Sequence, residues 1–171
     1  HGIIKFDVQN ETFAEFTKAD GLAQNEYKYS AFHQGGYTNK IYFGGNSGLD
    51  IFNPAEVTVS DYKPRVLFST LRLFNQEVAI SKEGVLPNML NNLSSLTFEH
   101  DQNVVSITFS CTDYSTPSKL RYAYMLEGLE KDYRIVGATE AEAIYAGLSP
   151  GDYTLKVRST NSDGIWQNNE R

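Results

Sequence analysis

The chain has 171 residues and a formal net charge of −6, with 40% hydrophobic and 13% aromatic residues. This apolar content is enough to fill a core, so the composition argues against a disordered chain. The acidic balance and the lack of a basic block exclude tight nucleic-acid binding driven by phosphate contacts.

Cysteine content and hydropathy exclude further classes. Cys111 is the single cysteine, which excludes an internal disulfide and a cysteine-based zinc site. It continues an alternating run with Val105, Ile107 and Phe109, so we expect it to be buried. No apolar run approaches the ~20 residues that span a bilayer, and no signal peptide is recognisable. Because the chain begins at His1 inside a predicted strand, we expect it to be a piece of a longer protein.

The first part of the chain shows short alternations of apolar and polar residues separated by Gly, Asn and Asp turns, which is typical of β-structure. The predicted strands are Ile3–Asp7, Thr12–Thr17, Tyr27–Phe32, Lys40–Gly44 and Leu49–Asn53. Strands of this length and spacing indicate the blade portion of a β-propeller over residues 1–54. Such a portion cannot bury both of its own faces, because each sheet of a propeller packs between neighbours.

A boundary follows this part. Pro54 cannot continue a strand ladder and favours an extended residue before it, so Asn53-Pro54 ends the last strand. Residues 55–64 are then predicted to be a linker, and a new alternation begins near Arg65.

The second part, residues 65–171, is predicted to be an immunoglobulin-like β-sandwich, because its strands recur at turns every ~8–12 residues. The predicted strands are Arg65–Phe74, Glu77–Ile80, Ser94–Phe98, Val104–Cys111, Leu120–Leu126, Tyr133–Val136, Ala143–Tyr145 and Asp152–Thr160. In the last of these, Tyr153, Leu155, Val157 and Ser159 share one face, which favours one buried and one solvated side.

The segment Leu148-Ser-Pro-Gly-Asp-Tyr153 has the composition of a tyrosine corner. In that motif a tyrosine at the start of a strand bonds through its hydroxyl to the backbone a few residues upstream. The segment resembles the matching stretch of fibronectin type III domains, which indicates a fold and says nothing of function.

Two adjacent stretches resemble known families. The first part is similar to the two-component regulator propeller repeat, although Phe43-Gly44-Gly45 has Gly where that repeat typically has Thr. Its matching residues are Ile4-Lys-Phe-Asp7, Phe13, Phe16, Asp20-Gly-Leu22, Asn25, Ile41-Tyr-Phe-Gly-Gly-Asn-Ser-Gly-Leu49 and Phe52-Asn-Pro54. The second part resembles the three-tyrosine (Y_Y_Y) domain, although Tyr133 stands where Trp is common. Its matching residues are Leu120-Arg-Tyr-Ala-Tyr-Met-Leu-Glu-Gly-Leu129, Lys131-Asp-Tyr133, Tyr145, Leu148, Pro150-Gly151, Tyr153 and Asn161-Ser-Asp-Gly-Ile-Trp166.

This order of domains resembles the periplasmic sensor region of hybrid two-component systems. The resemblance implies that glycan-derived oligosaccharides bind the propeller of the parent protein and that the sandwich couples it to a downstream transmembrane helix. It further implies a cytoplasmic histidine kinase outside this chain and places the chain in the periplasmic portion of an inner-membrane protein. For signal transmission we expect a homodimer through or near the sandwich, residues 65–171. Since the chain stops at Arg171, we expect the sandwich to lack its final strand.

No catalytic, cofactor-binding or metal site is predicted, and the ligand-binding residues are left open. Asp113 and Glu127 are the acids nearest an apolar strand, but Asp113 is in a turn where Asp caps backbone groups. The three histidines, His1, His33 and His100, lack a second ligand at metal-binding spacing.

The aromatic residues allow two interpretations. Tyrosine faces can bind sugars, but we expect Tyr122, Tyr124, Tyr145 and Tyr153 to form the core and its corner, with their hydroxyls at the rim. Trp166 is expected to close the end of the sandwich rather than to form a contact hot spot.

Two alternative functions remain open. The chain could be an accessory propeller and fibronectin-like module of a secreted glycan-degrading enzyme, or part of an adhesion scaffold. The sequence after Arg171 would separate them: an apolar span of ~20 residues favours a sensor, a catalytic domain favours the accessory module, and tandem sandwiches favour the scaffold.

Overall fold

The computed structural model describes residues 2–9, 11–58 and 60–171. The chain divides into two compact units, His1–Asp61 and Tyr62–Arg171, which are described separately below. The all-β fold predicted from the alternation is confirmed in both. The domain limits 1–54, 55–64 and 65–171 stay predictions.

The first unit contains two small antiparallel sheets, a hairpin and a three-stranded meander. The hairpin pairs β1 (Ile3–Asp7) with β2 (Thr12–Phe16), and the meander is β3 (Tyr27–Gln34), β4 (Ile41–Gly45) and β5 (Gly48–Phe52). All five strands were predicted, with ends within two residues of those observed. The predicted Asp20-Gly21 turn is also present, because Gly21 adopts a left-handed φ of 97° after a short 3-10 helix, Lys18–Asp20.

Packing around Gln24 explains the Gly that replaces Thr in the propeller-like motif. Gln24 is only 5% exposed, and its amide accepts a bond from the Ser47 N–H (2.8 Å) and donates to the Gly48 carbonyl (3.2 Å). A Cβ atom at Gly45 would overlap this amide. A side chain at position 45 would therefore require the Gln24 amide to move and to give up these hydrogen bonds.

The second unit is a two-sheet sandwich. One sheet has the order β11-β8-β6-β7 and the other β10-β9-β12. Their strands are β6 (Val66–Leu73), β7 (Gln76–Glu77), β8 (Val104–Cys111), β9 (Arg121–Glu127), β10 (Arg134–Gly137), β11 (Glu142–Ala146) and β12 (Thr154–Ser159). Six of the eight predicted strands are present. Of the strand predicted at Glu77–Ile80, only Glu77 is paired, in the two-residue β7.

The prediction of a strand at Ser94–Phe98 is wrong, because the structure has no strand there. Leu96 and Phe98 do pack on a core cluster, but their backbone is not paired in a sheet. Nearby, the Asn91 side chain accepts from the Phe68 N–H (2.9 Å) and donates to the Phe68 carbonyl (2.7 Å). The Asn91 side-chain amide thus forms the hydrogen bonds to β6 that a neighbouring strand would form. The alternation of Leu96 and Phe98 indicates that their side chains are partly buried and does not indicate a strand.

The last residues of the chain run along β12. Trp166 forms an antiparallel bridge with Thr160, and Arg171 exchanges both backbone hydrogen bonds with Val157 (2.8 and 2.9 Å). Asn169 fixes the same segment through its side chain, which accepts from the Ser159 N–H and donates to the Pro64 carbonyl.

Candidate functional site

The tyrosines of the Y_Y_Y-like stretch fill the space between the two sheets of the second unit. Tyr122 and Tyr124 project inward from β9 and Tyr145 from β11, and they are 3%, 6% and 7% exposed. Phe109 of β8 lies against both β9 tyrosines, with ring centroids 5.3 and 5.6 Å apart. Tyr124 and Tyr145 meet edge to face at 6.4 Å. The core is therefore a set of interlocking rings from both sheets, as predicted, and the rings do not line an open cleft.

Cys111 belongs to the same core. It is 3% exposed and packs in the cluster that holds the tyrosines, which confirms the predicted burial. Burial raises the pKa of the neighbouring Tyr122 hydroxyl. The Cys111 side chain acts in the same direction, and the Cys111 backbone partly opposes it.

Glu130 links the two sheets through a set of polar contacts at the edge of this core. Its carboxylate accepts from the Tyr145 hydroxyl (2.7 Å) and from the Leu126 N–H (2.9 Å), and it forms an ion pair with Arg134. Burial favours the neutral acid, but these hydrogen bonds and the Arg134 charge hold the pKa of Glu130 below its usual range. The sequence analysis missed Glu130, because a single Glu in a polar loop has no distinguishing pattern.

The predicted tyrosine corner is present. The Tyr153 hydroxyl donates to the Ser149 carbonyl at 3.0 Å, and Leu148 packs against the core. Tyr153 also packs against the turn after β9, since a Cβ on Gly128 (φ 98°) would lie 3.1 Å from its ring.

The two candidate acids are not a pair. Asp113 follows β8 and accepts from the Ser115 N–H (3.0 Å) and the Ser162 N–H (2.8 Å). Burial of Asp113 opposes its charge, but these backbone bonds keep its pKa below the usual range. Glu127 lies beside Thr154 at the far end of β12 from Ser162 and pairs with Lys156 at 2.9 Å. Since β12 separates them, the two carboxylates cannot flank one bond as glycoside hydrolysis requires.

Other predicted positions are also placed by the structure. His33 and His100 are exposed, and His1 lies outside the described residues. Within residues 2–9, 11–58 and 60–171, no group of three potential metal-ligating side chains converges. Across the same residues, the helices are three-residue 3-10 turns, too short to cross a bilayer.

Trp166 does not close the end of the sandwich, contrary to the sequence-based expectation. It lies over Arg158 on the outer side of the β10-β9-β12 sheet, with the guanidinium carbon 5.4 Å from its ring, and it is 38% exposed. The guanidinium carbon of Arg158 also lies 4.5 Å from the centroid of the Tyr133 ring, and the Tyr133 hydroxyl bonds Glu170. Position 133 thus holds an aromatic that stacks on a cation, and this role requires a ring that either Tyr or Trp supplies.

The first unit contains a cleft of about 500 Å³ lined largely by Ile, Phe, Leu, Val and Pro residues, with Lys5, Asp20 and Asp50 at its polar positions. Asp50 accepts from the Tyr27 hydroxyl (2.8 Å) and the Ala23 N–H (2.8 Å). Burial, together with the bond to Asp50, raises the pKa of Tyr27 to about 12. Several large apolar side chains of the unit are exposed: Phe6, Phe13, Tyr29, Phe32, Tyr37, Leu49 and Ile51. Exposure on this scale is typical of a surface that is covered by a neighbour.

Comparison with known proteins finds similarity over part of the chain and over nearly all of it. The family model of the Y_Y_Y domain matches residues 113–171. A curated relative, histidine kinase P4 of Formosa agariphila, is 27% identical over 167 residues. The alignment covers 96% of this chain but only 12% of that kinase.

Solved structures match the chain over nearly its whole length. The extracellular domain of a hybrid two-component system from B. thetaiotaomicron superposes with a TM-score of 0.74 at 22% identity. The extracellular domain of a one-component system from the same organism gives a TM-score of 0.59 at 22% identity. Each match covers 99% of this chain and 22% of the other. Residues 113–171 thus match the Y_Y_Y domain family, and the chain has the fold found in the extracellular domains of two-component systems, as the resemblance indicated.

Proposed function

We propose that this chain is the junction of an extracytoplasmic sensor region in a hybrid two-component histidine kinase. In this proposal the first unit is the end of a propeller that binds glycan-derived oligosaccharides in the periplasm. The second unit passes the signal to a transmembrane helix of an inner-membrane protein, which acts as a homodimer. The observation that supports the proposal most strongly is the alignment with a histidine kinase over 96% of the chain, in which both units are included.

The packing of the second unit supports a role in signal transmission rather than in catalysis. A signal that arrives at one end of a domain reaches the other only if the domain moves as one body or switches between two packings. The interlocked rings of Phe109, Tyr124 and Tyr145 join the two sheets, and Glu130 ties β11 to the loop after β9. Close-packed interiors of this kind transmit displacement because they compress very little.

The exposed apolar side chains of the first unit support its place in a propeller. Phe6 and Phe13 stack at 4.6 Å and are 49% and 70% exposed. A β-sheet blade buries such faces only between adjacent blades. The propeller portion is thus incomplete without further sheets, and the oligosaccharide contacts would lie largely on those.

The experiment separates ligand binding from transmission in the complete protein. Oligosaccharides from limited digestion of neutral and uronate-containing polysaccharides are titrated into the complete extracytoplasmic region by calorimetry. In parallel, the same oligosaccharides are fed to cells that carry a transcriptional reporter.

We expect at least one oligosaccharide to bind and to activate the reporter. Tyr145→Phe in the second unit should leave the Kd of that oligosaccharide unchanged but alter the reporter response. The control Tyr114→Phe, at a 76% exposed tyrosine, should change neither the Kd nor the response. Absence of binding and response across the panel would contradict the proposal.

A further inference from the structure

The first unit contains a repeated segment, Gly2-Ile-Ile-Lys-Phe-Asp7 and Gly48-Leu-Asp-Ile-Phe-Asn53. Both copies begin at a glycine with positive φ, 131° for the first and 142° for the second, and continue as a five-residue strand, β1 or β5. Each ends in the same turn, in which the Asp7 or Asn53 side chain accepts from the N–H two residues later, at 2.9 and 3.1 Å. A period of about 46 residues is typical of propeller blades. β1 and β5 are therefore equivalent strands of two successive repeats.

The two strands differ in what covers one of their edges. After Asp7 the chain turns back, and β2 pairs with β1 along its whole length. After Asn53 the chain leads toward β1 instead, since the Val57 carbonyl accepts from Lys5 of that strand at 2.6 Å. Among the residues that the structure describes, β5 pairs with β4 and with no other strand. The edge of β5 that corresponds to the β2 side of β1 is thus open.

The register shows which backbone groups point out of this edge. The two glycines that flank the turn between β4 and β5 are partners across a two-residue loop, so they form a hydrogen-bonded pair. Bonded and non-bonded pairs alternate along an antiparallel ladder. Asp50 and Phe52 therefore bond β4 as well, whereas the N–H groups of Leu49 and Ile51 point away from it.

The open edge lacks the usual protection against pairing. Natural edge strands carry lysine, proline or a bulge, and β5 has none of these along its length. Its single charged residue, Asp50, is engaged by the Tyr27 hydroxyl and the Ala23 N–H. The side chains of Leu49 and Ile51 are 53% and 50% exposed. An apolar edge of this kind is a template for another strand.

We infer that a strand from the part of the parent protein that precedes His1 pairs antiparallel with the open edge of β5, as β2 does with β1. This inference rests on the proposed function, in which the first unit ends a propeller. Blades of four strands stand in a ring, so the last blade lies beside the first, and the start of the propeller is the nearest source of a strand. This chain covers 22% of each extracellular domain that it matches, so such domains contain ample further sequence. A strand within the same polypeptide also has a higher effective concentration than one from another molecule.

The pairing defines both the chemistry and the consequence of the added strand. β2 has five residues, and we expect a strand of about that length with apolar residues opposite Leu49 and Ile51, because cross-strand neighbours shield each other from water. β5 is the last strand before Asn53-Pro54. Backbone hydrogen bonds would therefore join the start of the propeller to the strand that precedes the second unit.

Hydrogen–deuterium exchange of the complete extracytoplasmic region tests the pairing, read at single residues by fragmentation mass spectrometry. The Asp50 and Phe52 amides bond β4 in any case and are the internal reference, and β8, which is paired on both sides, verifies folding. We expect the Leu49 and Ile51 amides to exchange within about tenfold of the reference, because both sets open only with the sheet. Exchange of these two amides about 100-fold faster than the reference would show an open edge and overturn the inference.

Photo-cross-linking identifies the strand. Leu49→Cys in the complete region is labelled with a maleimide benzophenone and irradiated; Ile144→Cys, at a 57% exposed isoleucine of β11, is the matched control. Cys111 is buried, so it should not take the label. A mixture of unlabelled and ¹⁵N-labelled protein separates links within one chain from links between two chains.

We expect Leu49→Cys to link to one segment of its own chain that precedes His1, and the control to give no link to that segment. Links from Leu49→Cys to a second copy, or to a segment that follows Arg171, overturn the inference. If oligosaccharide still binds the complete region in that case, the proposed function stands. An open edge in a region that also binds no oligosaccharide removes the inference and the proposed function together.

Discussion

Replacing Tyr145 by Phe removes one hydroxyl from the link between the two sheets and leaves the ring in place. That hydroxyl donates to Glu130 at 2.7 Å, in a core position that is 7% exposed. The carboxylate keeps its hydrogen bond from the Leu126 N–H and its ion pair with Arg134. The substitution therefore removes one partner of Glu130 and does not leave the buried charge unpaired.

The magnitude follows from the charge on the acceptor. A hydrogen bond to an ionised group stabilises a fold by about 1.5–3 kcal/mol, against about 0.5–1.5 kcal/mol for a neutral one. Because Glu130 is ionised at pH 7, we expect Tyr145→Phe to lower the free energy of unfolding by about 2 kcal/mol. For a unit of this size that corresponds to a fall in Tm of roughly 8–15 °C.

Urea unfolding followed by Trp fluorescence measures this value, because Trp166 is the one tryptophan of the chain and reports on the second unit. Tyr153→Phe, which loses a bond to the neutral Ser149 carbonyl, should cost about half as much. Tyr114→Phe, at an exposed tyrosine, should cost nothing measurable. If Tyr145→Phe behaves like Tyr114→Phe, the link through Glu130 does not stabilise the sandwich.

Three further outcomes are expected in the same assay. Phe109→Ala should destabilise the second unit by about 3–5 kcal/mol, since it empties the centre of the ring cluster; a loss below about 1 kcal/mol would place the core elsewhere. Gly128→Ala should cost about 1–3 kcal/mol, because φ is 98° and the new Cβ would lie 3.0 Å from the Asp152 carbonyl oxygen; an unchanged midpoint would argue against this turn. Finally, the pKa values of Asp113 and Glu130 are lowered in the folded state. Both carboxylates therefore stabilise the fold above the ordinary carboxyl pKa of about 4, and this stability is lost as the pH falls below that value. Stability that stays constant between pH 6 and about pH 3 would contradict that assignment.

The strands of both units could be predicted because their signal is local. The residues from Val105 to Cys111 alternate strictly between apolar and polar, and the structure has β8 at Val104–Cys111. The tyrosine corner was also visible, since Leu148, the Pro-Gly turn and Tyr153 are adjacent in sequence. The prediction of a strand at Ser94–Phe98 failed for a related reason. Leu96 and Phe98 alternate with polar residues because both are partly buried, and alternation alone does not distinguish strand pairing from side-chain packing.

The contacts that define the candidate site could not be read from the sequence. Glu130 and Tyr145 are fifteen residues apart, and their bond exists only once the two sheets pack. Likewise, Arg158, Tyr133 and Trp166 meet on one surface because residues after Trp166 run back along β12. The sequence placed Trp166 at the end of the sandwich, and only the register shows that its indole lies over the sheet.

In the proposed function, two copies of the second unit pass a signal as a pair. Sedimentation velocity of the complete extracytoplasmic region, with and without the digested polysaccharides, tests it most directly. We expect a dimer whose sedimentation coefficient shifts when a bound oligosaccharide rearranges it. A strict monomer under both conditions would contradict the account.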